Sequence, residues 1–314
     1  MKLYIKANSL EILKNIDTLL PNANAKAEYL LSQDSNIEYK LNIESVKRLE
    51  AQKEELFYSN KPLKQLIKGV YFGNSHCEHL LSHIKDVVEA FEFSKKRHYN
   101  FVFVFPPLSL QMIDDAKRIL TFLADNQAMS EVVVNDIGVL ELAIQTKGIK
   151  PILGLNFTKT IKNSFVDVVE QTDIDKKIFN NQQTLLKNIE FEIKEVREFY
   201  KDLGVGRFSL DKSEINLSFL DDTPRFYVDI YYPYTILSNS KACDIAGMFD
   251  DKRGYFAFDE CPKYCNVSAL EFKDNDTLKL YQRYNTIVKP NINLNIEKKI
   301  YKNSKNRLIW EIFL

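Results

Sequence analysis

The chain has 314 residues, which is enough for one (β/α) barrel with an added segment. Its 43 basic and 43 acidic side chains give a formal net charge of zero, so no overall field attracts polyanionic nucleic acid or an anionic membrane. The opening residues lack a secretory signal, and no segment reaches the ~18 uninterrupted apolar residues that cross a bilayer. These features predict a cytoplasmic protein with no membrane span.

Residues 1–66 form the first predicted unit, an N-terminal α/β extension of unassigned role. A short strand is predicted over 3–6, and helical patterns run over 10–20 and 43–56. The pattern of apolar residues changes near Gly69, where short apolar runs begin to alternate with helical stretches. We therefore place a domain boundary at residue 66.

Residues 67–314 are predicted to form a (β/α) TIM-barrel-like domain, complete or incomplete. Helices alternate with strands in its first half, and a continuous run such as Phe101 to Phe105 is typical of a strand buried on both faces. Such alternation favours parallel strands with crossover connections. The predicted strands are 70–72, 101–105, 131–134, 151–154, 205–210 and 226–232. The predicted helices are 78–96, 110–124, 139–145 and 183–203.

Two patterns in the second half have a simple structural explanation. Gly204-Val205-Gly206 lacks the third glycine of a dinucleotide loop, so it predicts the end of a helix. The aromatic run over 226–234 could stack a planar ligand, but alternation along a strand explains most of it as core. After Cys265 the pattern weakens into polar, Asn-rich sequence that ends in an apolar run over 308–314.

The chain has only four cysteines, Cys77, Cys243, Cys261 and Cys265. This number is too small for a disulfide scaffold, and a reducing compartment would disfavour disulfides. The spacing lets one loop, 243–265, deliver three thiolates while the fold supplies the fourth. Four soft, anionic ligands suit an iron–sulfur cluster. Tetrahedral zinc and plain burial of four small hydrophobic side chains stay open as alternatives.

Two other groups of residues could carry chemistry. His79 and His83 are spaced i, i+4, which on one helix face can bind zinc, although a polar helix face is the simpler interpretation, and His76 adjoins Cys77. Asp136 follows a predicted barrel strand, where barrel enzymes place catalytic groups, but a turn-forming role is at least as consistent with Asn135-Asp136.

Several of these segments resemble family U32, the collagenase-like "peptidases", and within it the UbiV-type iron–sulfur proteins of oxygen-independent ubiquinone biosynthesis. The resemblance covers roughly residues 67–270. It is carried by Val70 to Cys77, by Val134 to Val139, by the strand from Val228 that leads to Cys243, and by Asp259-Glu260-Cys261 with Cys265. The first 66 residues and the early end of the chain depart from the family pattern.

The resemblance implies a 4Fe–4S cluster ligated by Cys77, Cys243, Cys261 and Cys265. It further implies a role in oxygen-independent hydroxylation of a small aromatic quinone precursor or an RNA base, often in a heterodimer with a related U32-type subunit. Two alternatives differ in class. One is a non-catalytic iron–sulfur partner subunit without a pocket beside its cluster, and the other is a collagenase-like hydrolase, for which the histidines near His76 would be the only candidate site.

Overall fold

A computed structural model describes residues 1–19, 37–158, 178, 180–181, 188–211, 217–222, 226–241, 243–248, 261, 263–266, 269–273 and 279–312. Within these residues the dominant feature is a closed barrel of eight parallel strands in the order β1-β12-β7-β6-β5-β4-β3-β2. The barrel strands are β1 (Lys2–Ala7), β2 (Ile67–Phe72), β3 (Asn100–Val104), β4 (Ser130–Val134), β5 (Ile149–Leu153), β6 (Arg207–Asp211), β7 (Tyr227–Tyr232) and β12 (Arg307–Glu311). The predicted (β/α) barrel is confirmed, and it is complete.

Closure of the barrel depends on both ends of the chain. Strand β1 pairs with β2 on one side and with β12 on the other, so that Leu3 lies opposite Ile67 and Leu308. The predicted extension 1–66 therefore supplies a barrel strand. The polar stretch after Cys265, for which no strand was predicted, leads to β12, whose residues are all buried.

Helices pack around the barrel through one apolar face. In the helix from Ile84 to Lys96 the buried residues Val87, Ala90, Phe91 and Ser94 follow the i, i+3, i+4, i+7 spacing of a single face. The described helices are α1 (Leu10–Lys14), α2 (Ile16–Leu19), α3 (Ile37–Phe57), α4 (Leu63–Leu66), α5 (Ile84–Lys96), α6 (Ile113–Asn126), α7 (Ile137–Gln145), α8 (Lys194–Asp202), α9 (Phe219–Asp222), α10 (Asp244–Met248) and α11 (Lys298–Lys302). No helix within the described ranges is both long and apolar enough to cross a membrane.

The helix predicted over 183–203 is shorter in the structure. Residues 190–192 form a single 3₁₀ turn, Ile193 is extended with φ −79° and ψ 120°, and α8 begins only at Lys194. Most of the predicted first part, 183–187, lies outside the described residues. The helix stop was predicted correctly, because Gly204 follows α8 with φ +80°, a conformation that glycine adopts without strain.

A second, four-stranded antiparallel sheet stands beside the barrel in the order β8-β11-β10-β9. Its strands are β8 (Tyr234–Asn239), β9 (Leu270–Lys273), β10 (Lys279–Arg283) and β11 (Thr286–Pro290). Strand β8 follows β7 directly across the cis bond between Tyr232 and Pro233. The chain therefore passes from the carboxyl end of a barrel strand straight into this sheet, which places the sheet at that end of the barrel.

The barrel interior holds an unusual amount of charge. Asp229 is fully buried and accepts hydrogen bonds from Arg207 (2.6 Å) and from the hydroxyl of Tyr71 (2.5 Å). Arg307 binds Glu131 at 2.6 Å and also donates to the Tyr71 hydroxyl at 2.7 Å. Nearer the carboxyl end of the strands, Lys6 forms an ion pair with Glu311. Buried charges are tolerated when they are paired and hydrogen-bonded in this way.

Candidate functional site at the carboxyl end of the barrel

The carboxyl ends of the barrel strands meet the small sheet, and the cysteines lie at this junction. Cys77 follows β2, and Cys243 follows β8 by four residues. Cys77 and Cys265 are buried in one apolar cluster with Tyr234, Tyr281 and Tyr284, against which Cys243 also packs. In a TIM barrel this end of the sheet is the one that carries the active site.

The turn after β2 positions Cys77. Gly73 has φ +123°, and a Cβ atom there would lie 2.4 Å from the carbonyl oxygen of Val104, so only glycine fits. The buried carboxamide of Asn74 then accepts the backbone N–H groups of His76 and Cys77, both at 2.8 Å. This local network fixes the direction of the Cys77 side chain.

Burial raises the pKa of Cys77 to about 12, and negative charge on Cys261 and Cys243 contributes to this rise. The backbone N–H groups of His79 and Leu80, in the 3₁₀ turn that follows Cys77, act in the opposite direction and lower the pKa. The free thiol is therefore neutral at pH 7, and a cation would be needed to hold it as a thiolate.

Cys243 immediately precedes α10, and its thiol donates to the carbonyl oxygen of Tyr284 at 3.4 Å. Burial raises the pKa of this thiol as well, and negative charge on Cys261 adds to the effect.

Cys265 lies in the 3₁₀ turn Tyr264–Asn266, which follows Lys263 with its positive φ of 57°. Burial raises the pKa of Cys265 to about 12, and charge on Cys77, Cys243 and Cys261 contributes to this rise. Cys261 is half-buried. All four thiols are thus close enough for the charge on one to disfavour ionisation of another.

The sulfurs do not converge on one point. Among the described residues, no group of three or more His, Cys, Asp or Glu side chains is arranged around a single metal ion. The four cysteines therefore form a loose group at the barrel mouth.

A cavity of about 260 Å³ opens beside Cys77 at the same end of the barrel. Its walls come from the ends of β2, β4 and β5 and from the small sheet, and four of its side chains are carboxamides. The carboxamides are Asn135, Asn156, Asn239 and Asn285, and His76 also lines the cavity. Asn135 depends on Gly154, because a Cβ atom on that glycine would lie 2.1 Å from its Oδ1.

The other candidate residues have structural roles or separate positions. Asp136 caps α7 by accepting the N–H of Val139 at 2.8 Å, and its second oxygen accepts the N–H of Leu108 at 3.0 Å. His79 belongs to the 3₁₀ turn, whereas His83 is the N-cap of α5. The prediction that the two histidines share one helix face is wrong, because the chain changes direction between them.

The aromatic run over 226–234 is core, as its alternation predicted. Tyr231 and Tyr232 are fully buried, and Tyr71 packs edge-on against Tyr231 with the ring centroids 6.3 Å apart. The four asparagines of the cavity were not among the predicted site residues. A polar residue directly after a buried strand, as at Asn135, was the only local signal that pointed to them.

Comparison of the sequence with models of known protein families gives no match, and comparison with curated proteins gives none either. The resemblance to family U32 therefore stays a prediction. The geometry at the barrel mouth carries the functional argument.

Proposed function

We propose that Cys77, Cys243, Cys261 and Cys265 hold a 4Fe–4S cluster at the mouth of the barrel. The single observation that carries this proposal is that thiols from distant parts of the chain gather at one place: Cys77 and Cys265 share an apolar cluster against which Cys243 packs, and negative charge on Cys261 raises the pKa of the other three. Grouping four potential anions costs free energy unless a cation compensates them. An iron–sulfur core supplies that compensation, since a metal-bound thiol is deprotonated outright.

The surroundings of the sulfurs fit such a core. Burial raises the pKa of Cys77 and of Cys243, whereas nearby backbone N–H groups lower it and so favour the thiolate. Hydrogen bonds to cluster sulfurs, together with burial, are the means by which a protein sets the reduction potential of a bound cluster. When bound, the cluster supplies one-electron transfer.

Tetrahedral zinc held by the same four cysteines is the alternative to a cluster, because zinc also takes four thiolate ligands.

For the reaction, we propose that the protein acts in or assists oxygen-independent hydroxylation of a small aromatic molecule or an RNA base, in the cytoplasm. Replacing an aromatic C–H by C–OH with oxygen from water releases two electrons and two protons. The co-reactant must therefore be an oxidised electron carrier. The cavity beside Cys77 supports a substrate-binding role at this site, as does the placement of both at the catalytic end of the barrel.

The proposal includes a heterodimer with a related U32-type subunit. In a purely accessory subunit we would expect no enclosed space beside the cysteines, so the 260 Å³ cavity favours a protein that binds a ligand itself. The hydrolase alternative needs a catalytic metal or an activated nucleophile. His79 and His83 lie on different elements, a 3₁₀ turn and the N-cap of α5, so they do not form the i, i+4 pair that one helix face would offer to zinc.

The test is the visible spectrum of protein purified without oxygen. We expect a brown protein with broad absorption that bleaches on reduction, and loss of this colour in Cys261→Ser. Ser240→Ala, in the same region but without a sulfur, is the matched control and should stay brown. Colourless protein that is folded and contains stoichiometric zinc would overturn the proposal.

A further inference from the structure

The cavity at the barrel mouth has a defined hydrogen-bonding character. The NH2 groups of its carboxamides are directed at protein acceptors. Asn135 donates to the carbonyl oxygen of Phe105 at 2.7 Å, and Asn156 donates to the carbonyl oxygen of Asn135 at 3.2 Å. Asn285 uses both of its hydrogens, one on the carbonyl oxygen of His76 (3.0 Å) and one on that of Ser240 (2.5 Å).

The oxygens of the same carboxamides are less fully used. Oδ1 of Asn156 accepts from Asn239 at 2.6 Å, and Oδ1 of Asn285 accepts from the Thr286 hydroxyl at 3.4 Å. Oδ1 of Asn135 accepts from the backbone N–H of Asn156 at 3.4 Å. A carboxamide oxygen has two lone pairs, so each can accept a further bond. The cavity therefore retains acceptors for a ligand that donates, beside the donors that remain on Asn135, Asn156 and Lys241.

The charge at the cavity is balanced. Its lining contains one lysine, Lys241, and one carboxylate, Glu78. The carboxylate is held in place, because it accepts the backbone N–H of Ser109 at 2.6 Å. A strongly charged ligand would meet one group of its own sign, so a neutral ligand fits best.

The volume limits the size of the ligand. At about 260 Å³ the cavity lies below the range of roughly 300–1,000 Å³ that holds drug-sized molecules. A single six-membered ring with small substituents fits this space.

From these three observations we infer that the mouth cavity binds a small neutral molecule of about one ring that carries O–H or N–H donors, with Asn135, Asn156 and Asn285 as its acceptors. The assignment of this molecule as a substrate rests on the proposed function. Binding itself does not, because it depends only on residues of the cavity.

The test is a binding titration that is monitored by ligand-observed NMR. Resorcinol, 1,3-dimethoxybenzene and benzoate are each titrated against the full-length protein, which is purified without oxygen. The first two probes share a ring, but only resorcinol has donors, whereas benzoate is an anion. We expect resorcinol to bind at least tenfold more tightly than either of the others. Equal or tighter binding of 1,3-dimethoxybenzene or benzoate would overturn the inference, as would no binding of resorcinol.

Variants locate the site. Asn156→Leu removes an acceptor at similar volume and should weaken resorcinol at least tenfold, whereas Asn126→Leu makes the same change on an exposed helix end and should leave binding unchanged. If Asn156→Leu does not fold, Asn285→Ala is the second variant, and unchanged affinity in the variant that folds would overturn the inference.

Iron and sulfide are measured on the same samples. Resorcinol binding without iron would refute only the proposed cluster, and a cluster without resorcinol binding would refute only the cavity assignment.

Discussion

The buried carboxylate of Asp229 gives a quantitative test of how the barrel interior is held together. The substitution Asp229→Ala removes the partner of Arg207 at 2.6 Å and the acceptor of the Tyr71 hydroxyl at 2.5 Å. Breaking a buried ion pair by removing one member costs about 3–5 kcal/mol, because the other charge stays buried.

The magnitude should fall at the lower end of that range. Arg207 keeps a hydrogen bond to the carbonyl oxygen of Lys305 (2.9 Å) and lies 3.7 Å from Glu131, while Tyr71 still accepts from Arg307 at 2.7 Å. We expect a loss of about 3 kcal/mol in the free energy of unfolding. Urea denaturation followed by circular dichroism measures it.

The matched control is Asp114→Ala. The Asp114 side chain is 84% exposed and faces Lys117 at 3.6 Å, so its removal should change the free energy of unfolding by less than about 0.5 kcal/mol. If Asp229→Ala were no more costly than Asp114→Ala, the interior charges would not be contributing to stability as the contacts indicate.

Three further predictions concern other parts of the molecule. Gly154→Ala should destabilise the protein by about 1–3 kcal/mol and weaken binding in the mouth cavity, because the added Cβ atom would displace the Asn135 side chain. Urea denaturation measures the first effect and the resorcinol titration the second. Unchanged stability and affinity would contradict the close approach of Gly154 to Asn135. The carboxylate of Asp17 accepts hydrogen bonds from Arg97 and Lys64, and these bonds lower its pKa. The ionised carboxylate therefore stabilises the folded protein above the ordinary pKa of 3.8, and this contribution is lost as the pH falls below that value. Asp17→Asn should therefore cost up to about 1 kcal/mol at pH 7, with a difference from wild type that shrinks at pH 3; a constant difference would refute this assignment. In iron-free protein, Cys77 should react with iodoacetamide at least about tenfold more slowly at pH 8 than an exposed thiol, because burial raises its pKa to about 12. Mass spectrometry of the alkylated protein measures the rate, and reaction as fast as that of an exposed thiol would contradict the prediction.

Much of the barrel could be predicted because its strands are buried on both faces. The continuous run Phe101 to Phe105 is typical of such a strand, and Asn100–Val104 is strand β3. The small sheet was missed. Its strands are short and mix polar with apolar residues, as in Lys279–Arg283, so they show no strong apolar pattern.

The candidate site was only partly accessible to sequence reasoning. The four cysteines could be selected because they are the only ones in the chain. The cavity could not be predicted, because Asn135 and Asn285 lie far apart in sequence. Only barrel closure and the added sheet bring these two residues into the lining of one cavity. Asparagine is also common in this chain, so composition alone did not single them out.

The central claim is that four cysteines share one inorganic core, and the most direct measurement is the content of iron and acid-labile sulfide per chain after anaerobic purification. We predict about four of each in the wild-type protein, and loss of both in Cys77→Ser with the barrel still folded. Iron without sulfide, or a folded wild-type protein that takes up neither under anaerobic reconstitution, would contradict the account.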